Sequence, residues 1–386
     1  MSPSGDTPTI LQPGQKIKPN VSLLLAQKLV EEHYGLKVES LKELNSYDDN
    51  NFYVKAKGSN GNVEKYVFKV LNSMDSKKTG YVEAQNAAMF LLNSKGINCP
   101  VPVKTIQGKT FLLVEIENKQ IVSESLSTRS KHIIRLLTFV EGQIMPEVHT
   151  TPKLLVKVGK YLAELEEILK EAACAALDNH TSLWILSNFL ELERFTYVIK
   201  DQPERFSLVS SVLEAYKNRV LPILPQLEKG VHHGDFNEQN IIVRPSTADP
   251  TEYDVYGVID FGDIQSEAYV FDLAATIVYM MLECIKDGVN LDPFFGAQCV
   301  LQGYSSVRNV PATELEVLRI LVASRLSQSL VIGTYTYSLD PGNEYLLTTG
   351  KTGWTLLDRL WNEKSNEEMM KCWVEAVSQS QPNRSA

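Results

Sequence analysis

His233-Gly234-Asp235-Phe236-Asn237-Glu238-Gln239-Asn240 and, further on, Asp260-Phe261-Gly262-Asp263 hold the residue types that moving a phosphoryl group requires. One carboxylate must orient a hydroxyl and accept its proton, while a second carboxylate and an amide hold Mg²⁺ on nucleotide phosphates. Asp235 fits the first part as catalytic base. Asn240 and Asp260 fit the second, because Mg²⁺ takes few protein oxygens alongside phosphate and water. His233 is expected to pack and orient the loop rather than titrate. Ile241–Val243 reads as a strand directly after Asn240, and Val255–Ile259 as another ending at Asp260, so a small hairpin would bring the three groups to one end. Asp263 is a candidate to approach substrate or metal. Glu267 would face the same side if the segment continues as a loop.

Other groups are candidates by position. Lys69, near the end of a strand, can reach nucleotide phosphates as a point charge, and Glu83 on the following helix is its expected carboxylate partner. Ser46–Asn51 should cover phosphates without a Gly-rich pattern, and Asp48 there would have to turn toward amines or metal. Arg135–Val140 should lay its backbone along a purine, which leaves ATP and GTP undecided. Asp272 opens an apolar helix, as an N-cap or as a brace for the Asp235 loop. Arg325, a lone cation on an apolar helix, must meet a carboxylate, from the protein or from a substrate. Tyr335, Tyr337 and Trp354 would flank an amine or pack in the core.

The elements around these groups follow from pattern. A helix over Ser22–Tyr34 stops at Gly35; strands follow over Leu36–Leu44, Phe52–Ala56 and Glu64–Val70, with a turn at Gly58–Asn62. Val82–Asn93 is helical with Gly96 as its stop, and Phe111–Val114 and His132–Leu137 are strands. After a bend at Phe139–Gly142 the chain turns mostly helical from Pro152. Strands first and helices second indicate an α+β protein: a Pro-rich disordered tail over 1–20, a small strand-rich N-terminal lobe over 21–140 that binds nucleotide, and a large, mostly helical C-terminal lobe over 141–386 that carries catalysis and substrate.

The 386 residues suffice for such a pair of lobes, and a net charge of −9 argues against nucleic-acid binding. Five scattered cysteines, without paired spacing, argue against a disulfide framework or zinc site and favour a reducing, cytoplasmic compartment. No run approaches the ~18 apolar residues of a membrane span, and the N-terminus lacks a signal-peptide core.

The order H-x-D-x-x-x-x-N then D-F-G resembles the bilobal protein-kinase-like pattern, with Gly234 in place of the kinase Arg, as in small-molecule phosphotransferases. Over roughly residues 20–375 the chain resembles the hydroxylysine kinase family of the aminoglycoside phosphotransferase superfamily. The resemblance rests on Leu44–Phe52, Tyr66–Val70, Glu83–Phe90, Ile134–Phe139, His233–Ile242, Ile259–Asp263, Ser324–Val331 and Lys351–Trp354. It implies GTP-dependent phosphorylation of the side-chain hydroxyl of 5-hydroxy-L-lysine in the cytoplasm, with Mg²⁺ as cofactor and GTP (or ATP) as donor. Asp235, Asn240, Asp260 and Lys69 match the family's catalytic positions; Asp48, Asp263 and Arg325 would meet substrate amines and carboxylate. The residues alone reach a small-molecule kinase. They leave open another amino alcohol, a homoserine-like compound or a sugar as acceptor, or a kinase-like binding module without activity.

Overall fold

The computed structural model describes residues 10–58, 61–118, 128–339, 341–343 and 347–380. They form two compact units: Gly14–Glu141, and the chain from Gly142 onward together with the described residues before Gly14.

The first unit is a sheet with two helices. Helix α1 (Leu23–Tyr34) begins where Ser22 Oγ accepts from Leu25 N at 3.2 Å, and ends at Gly35 in the left-handed region. Strands β1 (Lys37–Leu44), β2 (Asn50–Lys57) and β3 (Val63–Val70) run antiparallel. Helix α2 (Thr79–Ser94) leads to β4 (Pro102–Val103), β5 (Leu112–Asn118) and β6 (Thr128–Thr138), and β6 pairs with β3, β4 and β5. Alternation puts Phe52, Val54, Phe68, Val70, Ile134 and Leu136 in one core with Ala26, Leu29 and Val30 of α1. On the opposite face Val82 of α2 packs on Leu71 and Ile133. Of the expected turn at 58–62, Ser59 and Asn60 lie outside the described residues.

The tail expected over 1–20 lies outside the described residues as far as residue 9. From residue 10 it is irregular but held: Ser73 N donates to Ile17 O at 3.0 Å, Lys18 Nζ to Ser46 O at 3.2 Å, and Pro19 is buried.

The second unit is mainly helical. Strand β7 (Gln143–Ile144) precedes α3 (Pro152–Leu169), which starts with a Thr151 cap and proline in the first turn. A short α4 (Ala175–Asp178), a 3₁₀ segment (Leu186–Ile199) and α5 (Pro203–Ala215) follow. Four short strands come next in part: β8 (Lys229–His232), β9 (Ile241–Pro245), β10 (Tyr253–Val258) and β11 (Gln265–Ala268), with β10 paired to β9, β9 to β7, and β11 to β8. Then come α6 (Tyr269–Cys284), α7 (Pro293–Ser305), α8 (Ala312–Leu339), α9 (Gly350–Asp358) and α10 (Asn366–Ser380). Helices α6 and α8 are buried along most of their length. Two buried hydroxyls on α8 are satisfied within the helix, Ser324 on Ile320 O and Ser327 on Ala323 O, at 2.7 and 2.8 Å. Among the described residues no helix is long and apolar enough to cross a membrane.

Candidate active site

The antiparallel β9–β10 pair sets the site's spacing. Asn240 stands just before β9, and its carbonyl accepts from Ile259 N at 2.9 Å, so the residue before Asp260 is tied to the residue before β9. The expected hairpin therefore forms, and Asn240 and Asp260 leave it at the same end.

Asp235 lies in the loop between β8 and β9. Its Oδ2 accepts from Asn237 Nδ2 at 2.8 Å and from Asn240 Nδ2 at 3.2 Å; its Oδ1 accepts from Arg325 Nη2 at 2.8 Å. A carboxylate offers about four acceptor sites, so these three contacts leave room for a hydroxyl. Asn240 Nδ2 also donates to Asp235 O at 2.9 Å. Both amide hydrogens thus turn toward Asp235, which leaves Asn240 Oδ1 as a hard oxygen with no donor on it among the described residues. Among the described residues Asp260 is the one non-glycine with positive φ, at 60°, and its Oδ1 accepts from Gly262 N at 3.3 Å. Aspartate tolerates this region better than most residues, and strain held at such a position marks functional sites. An amide oxygen and a carboxylate suit Mg²⁺, which keeps water and phosphate as its other ligands.

The loop is braced from α6. Asp272 Oδ2 accepts from His233 N and Oδ1 from Gly234 N, each at 3.0 Å. Asp272 sits within the first turn, and Ala268 is the capping position, so bracing is the role it takes and the N-cap alternative does not hold. Burial pushes its carboxyl up, but His232, His233 and the Gly234 N–H outweigh burial and hold it below its ordinary value. His233 commits both ring nitrogens: Nδ1 accepts from Asp235 N at 3.3 Å and Nε2 meets Ile259 O at 3.0 Å. It orients the loop, as its place in the sequence suggested. Gly234 has φ +83°, and a Cβ there would lie 2.1 Å from Asp263 O. The close approach explains why glycine stands between His233 and Asp235.

Arg325 meets a protein carboxylate. Its side chain is 4% exposed, Nη1 donates to Trp184 O at 3.2 Å, and the guanidinium lies 5.1 Å from the Trp184 ring centre and 5.7 Å from that of Tyr279. Burial works against its charge, but Tyr279, Asp235 and Asp263 outweigh burial and raise its pKa. Of the two alternatives for Arg325, the internal ion pair is the one present. Burial pushes the Tyr279 hydroxyl up to about 12.

Several expectations change. Glu267 is part of a strand, not a loop; it accepts from Ser187 Oγ at 2.9 Å and pairs with Lys229 at 3.1 Å. Tyr335 packs edge-on against Phe195 at 4.9 Å, and Trp354 lies under Arg205 at 4.8 Å, so these two serve packing. Trp184 and Tyr279 are the aromatics placed at Arg325. Sequence reasoning passed over them, and over Asn237 and Glu238. Asp272, Thr276 and Tyr279 follow helical spacing, so α6 carries all three on one face, and that signal was available. Glu238 is partly buried, and its carboxyl is pushed up to about 7 by burial, with Glu283 and Asp235 adding to the shift.

In the sheet unit, Lys69 is 4% exposed and pairs across the sheet with Asn51 and Arg135, on the face away from Phe68. Arg135 is buried beside α2, where Asn86 Oδ1 accepts from its Nη1 at 3.4 Å. Glu83 is exposed, and among the described residues no ion pair joins it to Lys69: α2 turns Gln85 and Asn86 inward instead. In the loop after β1, Asp49 is a clamp, accepting from Asn72 N at 2.8 Å and Nδ2 at 3.2 Å. Asp48 has its carboxyl pushed up to about 7 by burial and then by Asp49 and Asp75. Residues 135–138 of the stretch expected to read a purine are paired with β3, and the N–H groups of Thr138 and Phe139 go to Val101 O and Lys65 O at 2.9 and 3.1 Å. Those two donors are already committed to the fold.

A braced H-x-D loop, an asparagine five residues on, and a left-handed aspartate at the end of the paired strand define a kinase-like phosphotransferase. The chain belongs to the phosphotransferase enzyme family (APH), whose model matches residues 40–308. It is similar to hydroxylysine kinase of Xenopus laevis, 36% identical over 370 residues that cover 93% of this chain and 95% of that protein. It is also similar to hydroxylysine kinase of Danio rerio, 32% identical, covering 94% and 97%. Among solved structures it shares its fold with an amicoumacin kinase in complex with AMP-PNP and Ca²⁺, at TM-score 0.61 and 15% identity, covering 91% of this chain and 94% of that one. The protein is a phosphotransferase with an alcohol group as acceptor.

Proposed function

We propose that this phosphotransferase moves the γ-phosphoryl group of GTP to the side-chain hydroxyl of 5-hydroxy-L-lysine, giving 5-phosphohydroxy-L-lysine and GDP. The observation that carries the acceptor is the near full-length similarity to hydroxylysine kinases. The donor follows the sequence resemblance, and the cytoplasmic setting suits five free cysteines.

In this reading Asp235 accepts the hydroxyl proton as the oxygen attacks phosphorus and the bond to the leaving diphosphate breaks. Arg325, Asn237 and Asn240 keep the Asp235 carboxylate in place for that contact. Asn240 Oδ1 and Asp260 are the groups that would hold Mg²⁺, which when bound neutralises charge on the nucleotide phosphates. Lys69 adds a positive charge for the phosphates, and Asp263 and Asp48 are assigned to substrate amines.

The test is phosphoryl transfer with GTP and ATP side by side, on hydroxylysine, homoserine, choline and an aminoglycoside. Hydroxylysine should give the highest kcat/KM, with GTP ahead of ATP. A higher kcat/KM on any other acceptor removes the substrate assignment, and ATP ahead of GTP removes the donor.

A further inference from the structure

Glu238 stands in the loop between Asp235 and Asn240 without a part in holding that loop together. Its neighbours all have one: Asn237 and Asn240 bond Asp235, Gln239 N donates to Asn237 Oδ1, and Phe236 O accepts from Thr276. Glu238 Oε1 receives a 3.4 Å contact from the adjacent Gln239 amide, and its Oε2 is enclosed with no hydrogen-bond partner among the described residues. Enclosing a carboxylate oxygen without a donor is costly, and such an atom in a folded protein calls for an explanation. Among the described residues no cation supplies one: Glu238 forms no ion pair, Lys286 is taken by Glu283 and Arg325 by Asp235. Around Glu238 are the carboxylates of Asp235 and Glu283, and Tyr279 feels both Asp235 and Glu238. A donor that carries positive charge would satisfy Oε2 and relieve this crowding of acids.

We propose that Glu238 determines acceptor specificity by receiving the ammonium group borne on the carbon next to the one that carries the reacting hydroxyl. This rests on the reading of hydroxylysine as acceptor, and it moves the side-chain amine to Glu238, leaving Asp263 and Asp48 the α-amine alone. In that molecule the hydroxyl and the side-chain amine lie on adjacent carbons. The Asp235 and Glu238 carboxylates act on one another and both act on Tyr279, so they share one neighbourhood, and a group that offers its oxygen to Asp235 would carry its ammonium to Glu238.

The experiment compares wild type and Glu238→Gln on 5-hydroxy-L-lysine and on 2-amino-5-hydroxyhexanoate, which keeps the hydroxyl and lacks the side-chain amine. Wild type should prefer hydroxylysine. Glu238→Gln should reduce that preference, read as the ratio of kcat/KM values, by about 10- to 100-fold, the size of one charge-assisted hydrogen bond. The loss should fall mainly in the KM for hydroxylysine. The free variant should melt at or above the wild-type midpoint, because a neutral amide needs no counter-cation. An unchanged ratio, or a fall in melting point with equal loss on both acceptors, overturns the proposal and makes Glu238 structural. Wild type that turns over other acceptors but not hydroxylysine overturns the parent reading and this one together. Wild type that turns over hydroxylysine while Glu238→Gln leaves its KM unchanged overturns this one alone.

Discussion

Arg325→Met removes the cation that holds Asp235 while keeping much of the side-chain volume. The two groups meet at 2.8 Å, with Arg325 4% and Asp235 22% exposed at the side chain. Breaking a fully buried pair by removing one partner costs about 3–5 kcal/mol, and the partial exposure of Asp235 lets water replace some of the lost interaction. The expected loss of stability is therefore about 2–3 kcal/mol. Asp235→Asn alone leaves the guanidinium buried without its counter-charge and should cost a similar amount. The double variant carries neither charge, so its loss should fall short of the sum by about 2 kcal/mol. Urea denaturation read through tryptophan fluorescence suits the measurement, because the Trp184 ring centre lies 5.1 Å from the Arg325 guanidinium. In kinetics Arg325→Met should lower kcat by about 10- to 100-fold with little change in nucleotide KM, since Asp235 loses one of its three side-chain anchors. Losses that add in the double variant, or an Arg325→Met protein with unchanged kcat, would refute this account of Arg325 as the residue that positions Asp235.

Gly234→Ala places a methyl group 2.1 Å from the Asp263 carbonyl at φ +83°; strain and clash together should cost at least about 3 kcal/mol and abolish turnover, and a variant with wild-type melting and rate would show that the loop is not confined there. Burial pushes the Glu314 carboxyl up to about 7, against the pull of the Glu228 N–H and of Arg308. From its ordinary value of 4.5 up to about 7 the unfolded chain binds fewer protons than the folded one, so this group's contribution is lost as pH rises and totals about 3 kcal/mol. Glu314→Gln should gain on wild type between pH 5 and pH 8 by up to that amount in denaturant titrations, and a constant gap between the two proteins would count against it.

The distant partners of Asp235 show where reading the chain from its residues stops. On α8, buried side chains surround the helix on nearly every side, so no apolar stripe marks the face that carries Arg325. Its meeting with Asp235, 90 residues away, is a consequence of helix packing. Glu267 changed role because a strand formed where a loop was expected, and its pairing with β8 brought it to Lys229 and Ser187. Lys69 sits in the expected strand, but the partner expected for it, Glu83, faces solvent because α2 packs through Val82 and turns Gln85 and Asn86 inward.

By itself the sequence determined the local parts: the first helix and its stop at Gly35, the strands of the first unit other than the short β4, and the placing of Asp235, Asn240 and Asp260 at one end of one hairpin. These depend on periodicity, capping and short-range spacing, all of which are written along a few turns of chain. The tertiary structure alone decided which cation holds Asp235, which aromatics stand beside that cation, and that among the described residues Glu238 Oε2 is enclosed without a donor. Those outcomes depend on how helices far apart in the chain pack against one loop, and a charge or amide carries no sign in its own neighbourhood of the partner that packing will bring.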